Sequence, residues 1–362
     1  MDLLFTPGKI GNLKIPNRIL RSATAERMAD DEGRPLTRLK DCWVELARGG
    51  VGLIITGHMY VHPSGKCHPE MTGIYSDDLI PDLYEAVKAA HKSGGKIAAQ
   101  INHGGMQCAE ETVEGTIAPS DIEEEFLSQP AREMTTKEIS MLIDAYAQAA
   151  GRAKEASFDA VQLHGAHGYL INQFISPFVN RRIDQWGGDL DGRTRFLREV
   201  ILAVRQQVGP EYPVFIKFGM EDGLKGGLKA EEGAKVISWM QEWGLDAIEI
   251  SGGIRSKNSM KGIKSEDREA YFRPLAKLAR PLTDLPLILV GGLRSRSVME
   301  SVLSSGHADF ISLSRPLIND PEFPNRLRSG EVNKSGCLSS NNCWPLNSGE
   351  GIACKCPKIE QL

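Results

Sequence analysis

Eight short apolar runs rich in Val and Ile, each closing on Gly, Ser, Thr, His or Arg and each followed by a stretch with helical spacing, constrain this chain more than any other feature. The runs are Ile19–Thr24, Val51–Gly57, Lys96–His103, Ala160–Gly165, Val214–Gly219, Ala247–Gly252, Leu287–Gly292 and Ala308–Arg315. Continuous rather than alternating apolarity marks strands covered on both faces, as parallel strands between helices are. The helices between them fall at Thr37–Arg48, Leu79–Ser93, Thr136–Ala156, Arg193–Val208, Ala230–Trp243, Asp267–Ala279, Ser295–Ser304 and Glu322–Arg328. The segments "ASFDAV", "WGLDAIEI" and "SGHADFISL" each repeat a helix end, a turn with Asp and a buried strand. Unbroken βα alternation, with no GxGxxG after the first strand, predicts a closed (β/α)8 TIM barrel rather than an open doubly wound sheet.

Ahead of the first strand, "LFTPGKIGNLKIPN" reads as a hairpin that plugs the N-terminal end of the barrel. The expected organisation is a barrel over residues 1–330 and a short tail over 331–362 packed on it, carrying Cys337, Cys343, Cys354 and Cys356. The long irregular stretch Gly104–Met134 is expected to shape the pocket from above. A net charge of −4 and the lack of a long basic run exclude a nucleic-acid groove and leave a small-molecule partner. No segment reaches the roughly 20 apolar residues of a membrane span, and the first residues lack a signal-peptide pattern, so a cytoplasmic protein is expected. Seven cysteines, four of them crowded in the tail, suit free thiols better than a secreted disulfide framework. A homo-oligomer is compatible with all of this.

In this fold the chemistry sits where strands end. Strand one ends in Ser22, Ala23 and Thr24, strand two in Thr56 and Gly57, and strand three carries Gln100 and Asn102. Strand four gives His164, His167 and Tyr169, strand five Lys217, and the last three end in "ISGG", "VGG" and "LSR". Gly291 and Gly292 beside Ser314 and Arg315 are expected to bind a phosphate, with exposed N–H groups backed by one cation. The remaining polar ends suit a flat heterocycle, with Gln100 offering donor and acceptor and Lys217 a positive charge. Two histidines three apart also raise a metal site, but neither a nearby carboxylate nor a third histidine on an adjacent strand end completes one, and no metal is expected. Tyr169 as plain core packing is the other alternative.

The ordered motifs "NRILRSAT", "QINHGG", "HGAHGYLINQFISP", "NRRIDQWGGDLDGRTRF", "VGGL" and "LSRPLINDP" resemble the old yellow enzyme family of FMN-dependent NADH:flavin oxidoreductases and ene-reductases, over Leu4 to about Arg328. Within it the chain is similar to the barrel of 2,4-dienoyl-CoA reductase. The resemblance implies FMN across the barrel mouth, its ring near Ser22, Ala23, Thr24, Gly57 and Gln100, its N1 and C2 oxygen near Lys217, and its phosphate at Gly253, Gly292, Ser314 and Arg315. It implies that NADH or NADPH is the reductant, that the substrate is a small α,β-unsaturated carbonyl compound, that His164 and His167 hold its activating oxygen, and that Tyr169 gives a proton. The chemistry agrees independently. Hydride addition to an activated C=C builds charge on the carbonyl oxygen, which two N–H donors stabilise, and the α-carbon then needs an acid.

Departures from the family pattern are visible. Lys217 stands where Arg is common, keeping charge but losing bidentate geometry. Either Thr24 or Ala25 occupies the strand-one position beside the ring. The tail resembles the cysteine cluster that holds an iron–sulfur centre in larger multidomain relatives, but Ser340 replaces a cysteine and no cluster is expected. The basic loop "IRSKNSMKGIK", with Arg255, Lys257, Lys261 and Lys264, reads as solvated lysines or as a contact to a nucleotide or CoA phosphate. Rival functions are a flavin-dependent dehydrogenase or demethylase on the same site, a flavin-free metal-dependent barrel and a barrel that only binds a phosphorylated ligand.

Overall fold

The computed structural model describes residues 2–254, 265–345 and 349–356. Arg255, Lys257, Lys261 and Lys264 of the basic loop therefore lie outside the described residues.

The chain opens with an antiparallel hairpin of β1 (Gly8–Ile10) and β2 (Leu13–Ile15), turned by Gly11 and Asn12. Gly11 takes φ +50, and a Cβ there would sit 2.9 Å from the Asp246 carboxyl, so the turn needs glycine. Eight parallel strands then close into a barrel in chain order: β3 (Ile19–Arg21), β4 (Leu53–Tyr60), β5 (Ile97–Asn102), β8 (Ala160–Gly165), β9 (Val214–Gly219), β10 (Ile248–Ser251), β11 (Leu287–Leu289) and β12 (Phe310–Leu313). Two further short strands, β6 (Thr116–Ala118) and β7 (Ala131–Glu133), pair in parallel within the long segment after β5. With Met106, Ile122, Val179 and Ile254 they bury a small core of their own at the mouth.

The helices lie close to their predicted places, and the exceptions have local causes. The helix Thr136–Glu155 starts on a capping box in which Thr135 and Glu138 satisfy each other's backbone N–H groups. The helix Leu190–Val208 begins earlier than its apolar periodicity suggests, because the Asp189 side chain caps the Gly192 N–H at 2.9 Å. The helix Arg273–Ala279 begins later than the predicted Asp267, with Pro274 in its first turn.

Inside the barrel the side chains form layers. The lowest is apolar: Leu20, Leu53, Ile55, Ala98, Ala160, Phe215, Ala247, Ile288 and Phe310 meet Ile10 and Ile15 of the hairpin, which closes the N-terminal end. Truncating Ile10 to alanine will therefore cost about 2–4 kcal/mol of unfolding free energy in urea titration, the usual range for a buried Ile→Ala cavity. A loss below about 1 kcal/mol would show that the hairpin is not part of the core.

Candidate active site

Two residues above the apolar layer, the period of two along each strand turns polar side chains inward. Ser22, Gln100, Gln162, Lys217, Glu249 and Ser312 meet there, all nearly inaccessible to solvent. Lys217 Nζ donates to Ser22 Oγ at 2.7 Å, and Ser22 Oγ donates to Glu249 Oε1 at 2.7 Å. Gln162 Nε2 donates to Glu249 Oε2 at 2.8 Å and Gln100 Nε2 to Gln162 Oε1 at 2.7 Å. Lys217 lies 3.4 Å from Glu249. Burial pulls the Lys217 ammonium down from its ordinary pKa, and Glu249 opposes that fall. Neither Gln162 nor Glu249 was among the candidate residues. The signal was present, because Ala247, Glu249 and Ser251 share one face of a strand covered on both sides, and a buried carboxylate there needs a partner.

A cavity of about 600 Å³ opens over Lys217 and runs towards β11 and β12. This lies within the roughly 300–1,000 Å³ usual for small-ligand pockets. Of the candidate residues, Ser22, Ala23, Thr24, His167, Lys217, Gly253, Gly292, Ser314 and Arg315 line it. Thr24 rather than Ala25 faces the cavity, its Oγ1 bonded to Ser314 Oγ at 2.8 Å. Gly291 and Gly292 have φ +123 and +69, and their N–H groups meet no acceptor among the described residues. Gly253 differs: its N–H already donates to Glu221 O at 2.7 Å, so it serves close approach rather than donation. Arg315 Nη1 bonds Asn341 Oδ1, and Ser339, Asn341, Cys343, Trp344 and Ile352 form one wall. The tail thus packs across the mouth, with Ile352 N donating to Glu26 O at 2.9 Å.

Gly57, Gln100, His164 and Tyr169 lie outside that lining. Gln100 belongs to the polar floor, and His164 of β8 and Tyr169 just after it lie against His58 of β4. Gly57 departs from its expected place beside the ring. A bulge in the β4 pairing between Ile55 and His58 shifts the inward parity by one residue. The Gly57 N–H donates to both Glu26 carboxylate oxygens, at 2.9 and 2.8 Å, and a Cβ would lie 2.0 Å from Glu26 Oε2. His58 takes the inward position instead, its Nδ1 bonded to Asn102 Nδ2 at 2.9 Å.

His58, His164, His167 and Tyr169 form one aromatic cluster. Ring centroids are 4.7 Å apart for His164 and Tyr169, 5.1 Å for His164 and His167, and 5.0 Å for His58 and Tyr169. Desolvation holds the buried His164 well below the ordinary histidine pKa; His167 is lowered as well but its side chain is open to the cavity, and both are neutral near pH 7. The Ala166 N–H donates to His164 Nδ1 at 3.3 Å, which leaves the ring proton on Nε2. His167, with φ +59, opens onto the cavity and shares a 2.8 Å hydrogen bond with Ser251 Oγ. Burial raises the Tyr169 hydroxyl above its ordinary range, so it stays protonated at any working pH.

The tail cysteines are free thiols with separate partners. Cys356 Sγ meets Ser340 Oγ at 3.1 Å, Cys354 Sγ accepts from Asn319 at 3.3 Å, and Cys337 Sγ accepts from Ser339 N at 3.5 Å. Among the described residues no three His, Cys, Asp or Glu side chains are grouped to hold a metal ion. No helix among them is long and apolar enough to cross a membrane.

The family model described as "NADH:flavin oxidoreductase / NADH oxidase family" matches residues 3–334. This chain belongs to that family, the old yellow enzyme family. The family is one of flavin-dependent oxidoreductases, described by their NADH:flavin and NADH oxidase members. The chain is 37% identical to an NADH oxidase of Thermoanaerobacter brockii over 93% of its own length and 52% of that protein's. It is 33% identical to an NADPH dehydrogenase of Bacillus subtilis, covering 88% of this chain and 92% of the relative. A 2-naphthoyl-CoA reductase structure superposes with TM-score 0.87 at 27% identity, covering 94% of this chain and 54% of that one. The chain thus spans about half the length of the first and third of these.

The residues present fit the family's FMN. Ser312 Oγ lines the cavity, buried and without a hydrogen-bond partner among the described residues. The open N–H groups of Gly291 and Gly292 suit the phosphate, and the buried Lys217 suits an electron-rich ring edge.

Proposed function

We propose that this chain reduces the C=C bond of a small α,β-unsaturated carbonyl compound at the expense of NADH or NADPH. The arrangement that carries the reading is the contact of two neutral histidines, His164 and His167, with a protonated tyrosine, Tyr169, beside the cavity. FMN, when bound, supplies the hydride chemistry that links the nicotinamide to the substrate.

The rest is the work of the protein's own side chains. Ser22, Ala23, Thr24, Gln100 and Lys217 hold the ring, and Gly253, Gly292, Ser314 and Arg315 hold the phosphate. A histidine kept neutral by burial donates N–H to the substrate's carbonyl oxygen without bringing a full positive charge, and that donation strengthens as charge develops there. It also polarises the double bond so that the β-carbon is the electrophilic end. Tyr169, a weak acid, keeps its proton until the α-carbon becomes strongly basic, so protonation follows charge development.

The test is turnover of 2-cyclohexenone with each nicotinamide under anaerobic conditions, following both NAD(P)H loss and product. Saturated ketone forming in step with NAD(P)H consumption is expected. Failure to reduce an enone, a maleimide and an enoyl thioester, in a protein that does bind FMN, would turn the reading towards oxidation of saturated or N-methyl substrates.

A further inference from the structure

The polar floor of the barrel has a single acidic member, Glu249, to which the proposed reaction assigns no role. Glu249 is wholly inaccessible to solvent at the centre of β10. Its carboxylate is shared between two chains of hydrogen bonds. On one side Oε1 accepts from Ser22 Oγ at 2.7 Å, and Ser22 accepts from Lys217 Nζ at 2.7 Å. On the other side Oε2 accepts from Gln162 Nε2 at 2.8 Å, and Gln162 Oε1 accepts from Gln100 Nε2 at 2.7 Å.

An ionised carboxylate only accepts hydrogen bonds. That fact orders every group in contact with it. Gln162 must turn its amide nitrogen to Glu249 and its oxygen to Gln100. Gln100 must then spend one N–H on Gln162, which leaves its Oε1 and second N–H as the end of the chain. Ser22 must point its proton at Glu249 and its lone pairs at Lys217. A single charge at position 249 thus sets the polarity of three side chains from three other strands. The same charge lies 3.4 Å from the Lys217 ammonium and partly cancels its field in the cavity above.

We infer that Glu249 is a positioning residue that sets the reduction potential of the bound FMN, by pairing with Lys217 and by fixing the amide orientation of Gln162 and Gln100. The inference rests on the FMN reading of the cavity. Reduction puts negative charge on the flavin ring, so an uncancelled Lys217 favours the reduced form and an uncancelled Glu249 disfavours it. Glu249 does not touch the ring in this scheme; it acts through Lys217, Ser22 and the two glutamines.

The test measures the two-electron midpoint potential of the FMN-loaded protein for wild type, Glu249→Gln, Lys217→Met and the double variant, together with the Kd for oxidised FMN. Glu249→Gln is expected to raise the ratio of affinities for reduced over oxidised FMN about tenfold, a positive shift of about 30 mV for a two-electron couple. Lys217→Met is expected to shift the potential the other way, and the double variant to return towards wild type. A second sign is pH dependence: without Glu249, Lys217 loses its proton at lower pH, so the raised potential falls back towards the wild-type value as pH rises.

If Glu249→Gln fails to fold, the comparison of Lys217→Met with the double variant still decides, because removing the negative charge must raise the potential of the Lys217→Met protein. Equal potentials in that pair, or a Glu249→Gln protein that binds FMN and matches wild type across the pH range, would overturn the inference. A wild-type protein that binds no FMN would instead overturn the cofactor reading, and the Kd measurement shows this before any potential is read.

Discussion

Replacing Tyr169 with phenylalanine will slow reoxidation of the bound flavin by an enone by about 10²- to 10⁴-fold, the range for losing a general acid, and leave reduction by NADH or NADPH unchanged. The substitution removes one hydroxyl and keeps the ring against His58 and His164, at 5.0 and 4.7 Å, so the cluster itself survives. Hydride arrival from the nicotinamide needs no proton from the protein, whereas saturation of the α-carbon does. Rapid mixing separates the two half-reactions. Equal losses in both would mean that Tyr169 shapes the pocket rather than supplying the proton, and no loss in either would remove it from the mechanism. The direction of the Tyr169 pKa adds a check: because burial raises it, the wild-type oxidative step will show no break from tyrosine ionisation below pH 9.

Acidification will destabilise the fold steeply below about pH 6.5. His58, His68, His103 and His164 are buried, and desolvation is the largest cause of each shift. It pushes His58 down to about 4, His103 to about 3 and His68 to about 2, and His164 well below its ordinary value. The groups facing them are mostly cationic or neutral: Arg27 and Lys217 near His58; His58, Arg27 and Lys66 near His68; His62 near His103. Glu70, 3.8 Å from His68 Nδ1, is the acidic neighbour.

The folded protein therefore binds fewer protons than the unfolded chain once pH drops under the unfolded histidine value. Stability must fall as pH falls from about 6.5 towards 4, where His58 begins to protonate in the folded state. Each such histidine contributes up to about 1.4 kcal/mol per pH unit, so the four together give a slope of up to about 5 kcal/mol per pH unit. Urea midpoints measured at half-unit steps from pH 7 to pH 5 check this. A flat profile over that range would mean that the cluster opens to water and that these histidines titrate normally.

The fold was largely legible because a parallel barrel writes itself twice, in runs apolar on both faces and in the polar residues that end them. Seven of the eight barrel strands fall within their predicted runs, β4 continues three residues past its own, and the first helix, Thr37–Arg48, has the predicted bounds. What sequence reading missed is what depends on parity and on distance. The β4 bulge is invisible in "LIITGHMYV", yet it swaps Gly57 for His58 at the mouth. Glu249 sits in "DAIEI", where the neighbouring aliphatic residues disguise one buried charge as part of a core strand. The wall made by Ser339, Asn341 and Trp344 joins residues more than 300 positions from Ser22, and nothing local announces that contact. His164, His167, Tyr169 and Lys217 stand out in the sequence because their types have few structural reasons to follow a buried apolar run, and their roles remain those proposed above.

In the proposed reaction one pocket takes hydride equivalents from a nicotinamide and passes them to an activated alkene. The most direct measurement is the visible spectrum of the purified protein under anaerobic conditions, first with NADH or NADPH and then with 2-cyclohexenone. Flavin bands that bleach on adding the nicotinamide and return when the enone is added, with the saturated ketone as product, are expected. Bands that bleach and stay bleached until oxygen is admitted would contradict the assigned substrate class. A colourless protein that also fails to take up FMN would contradict the site itself.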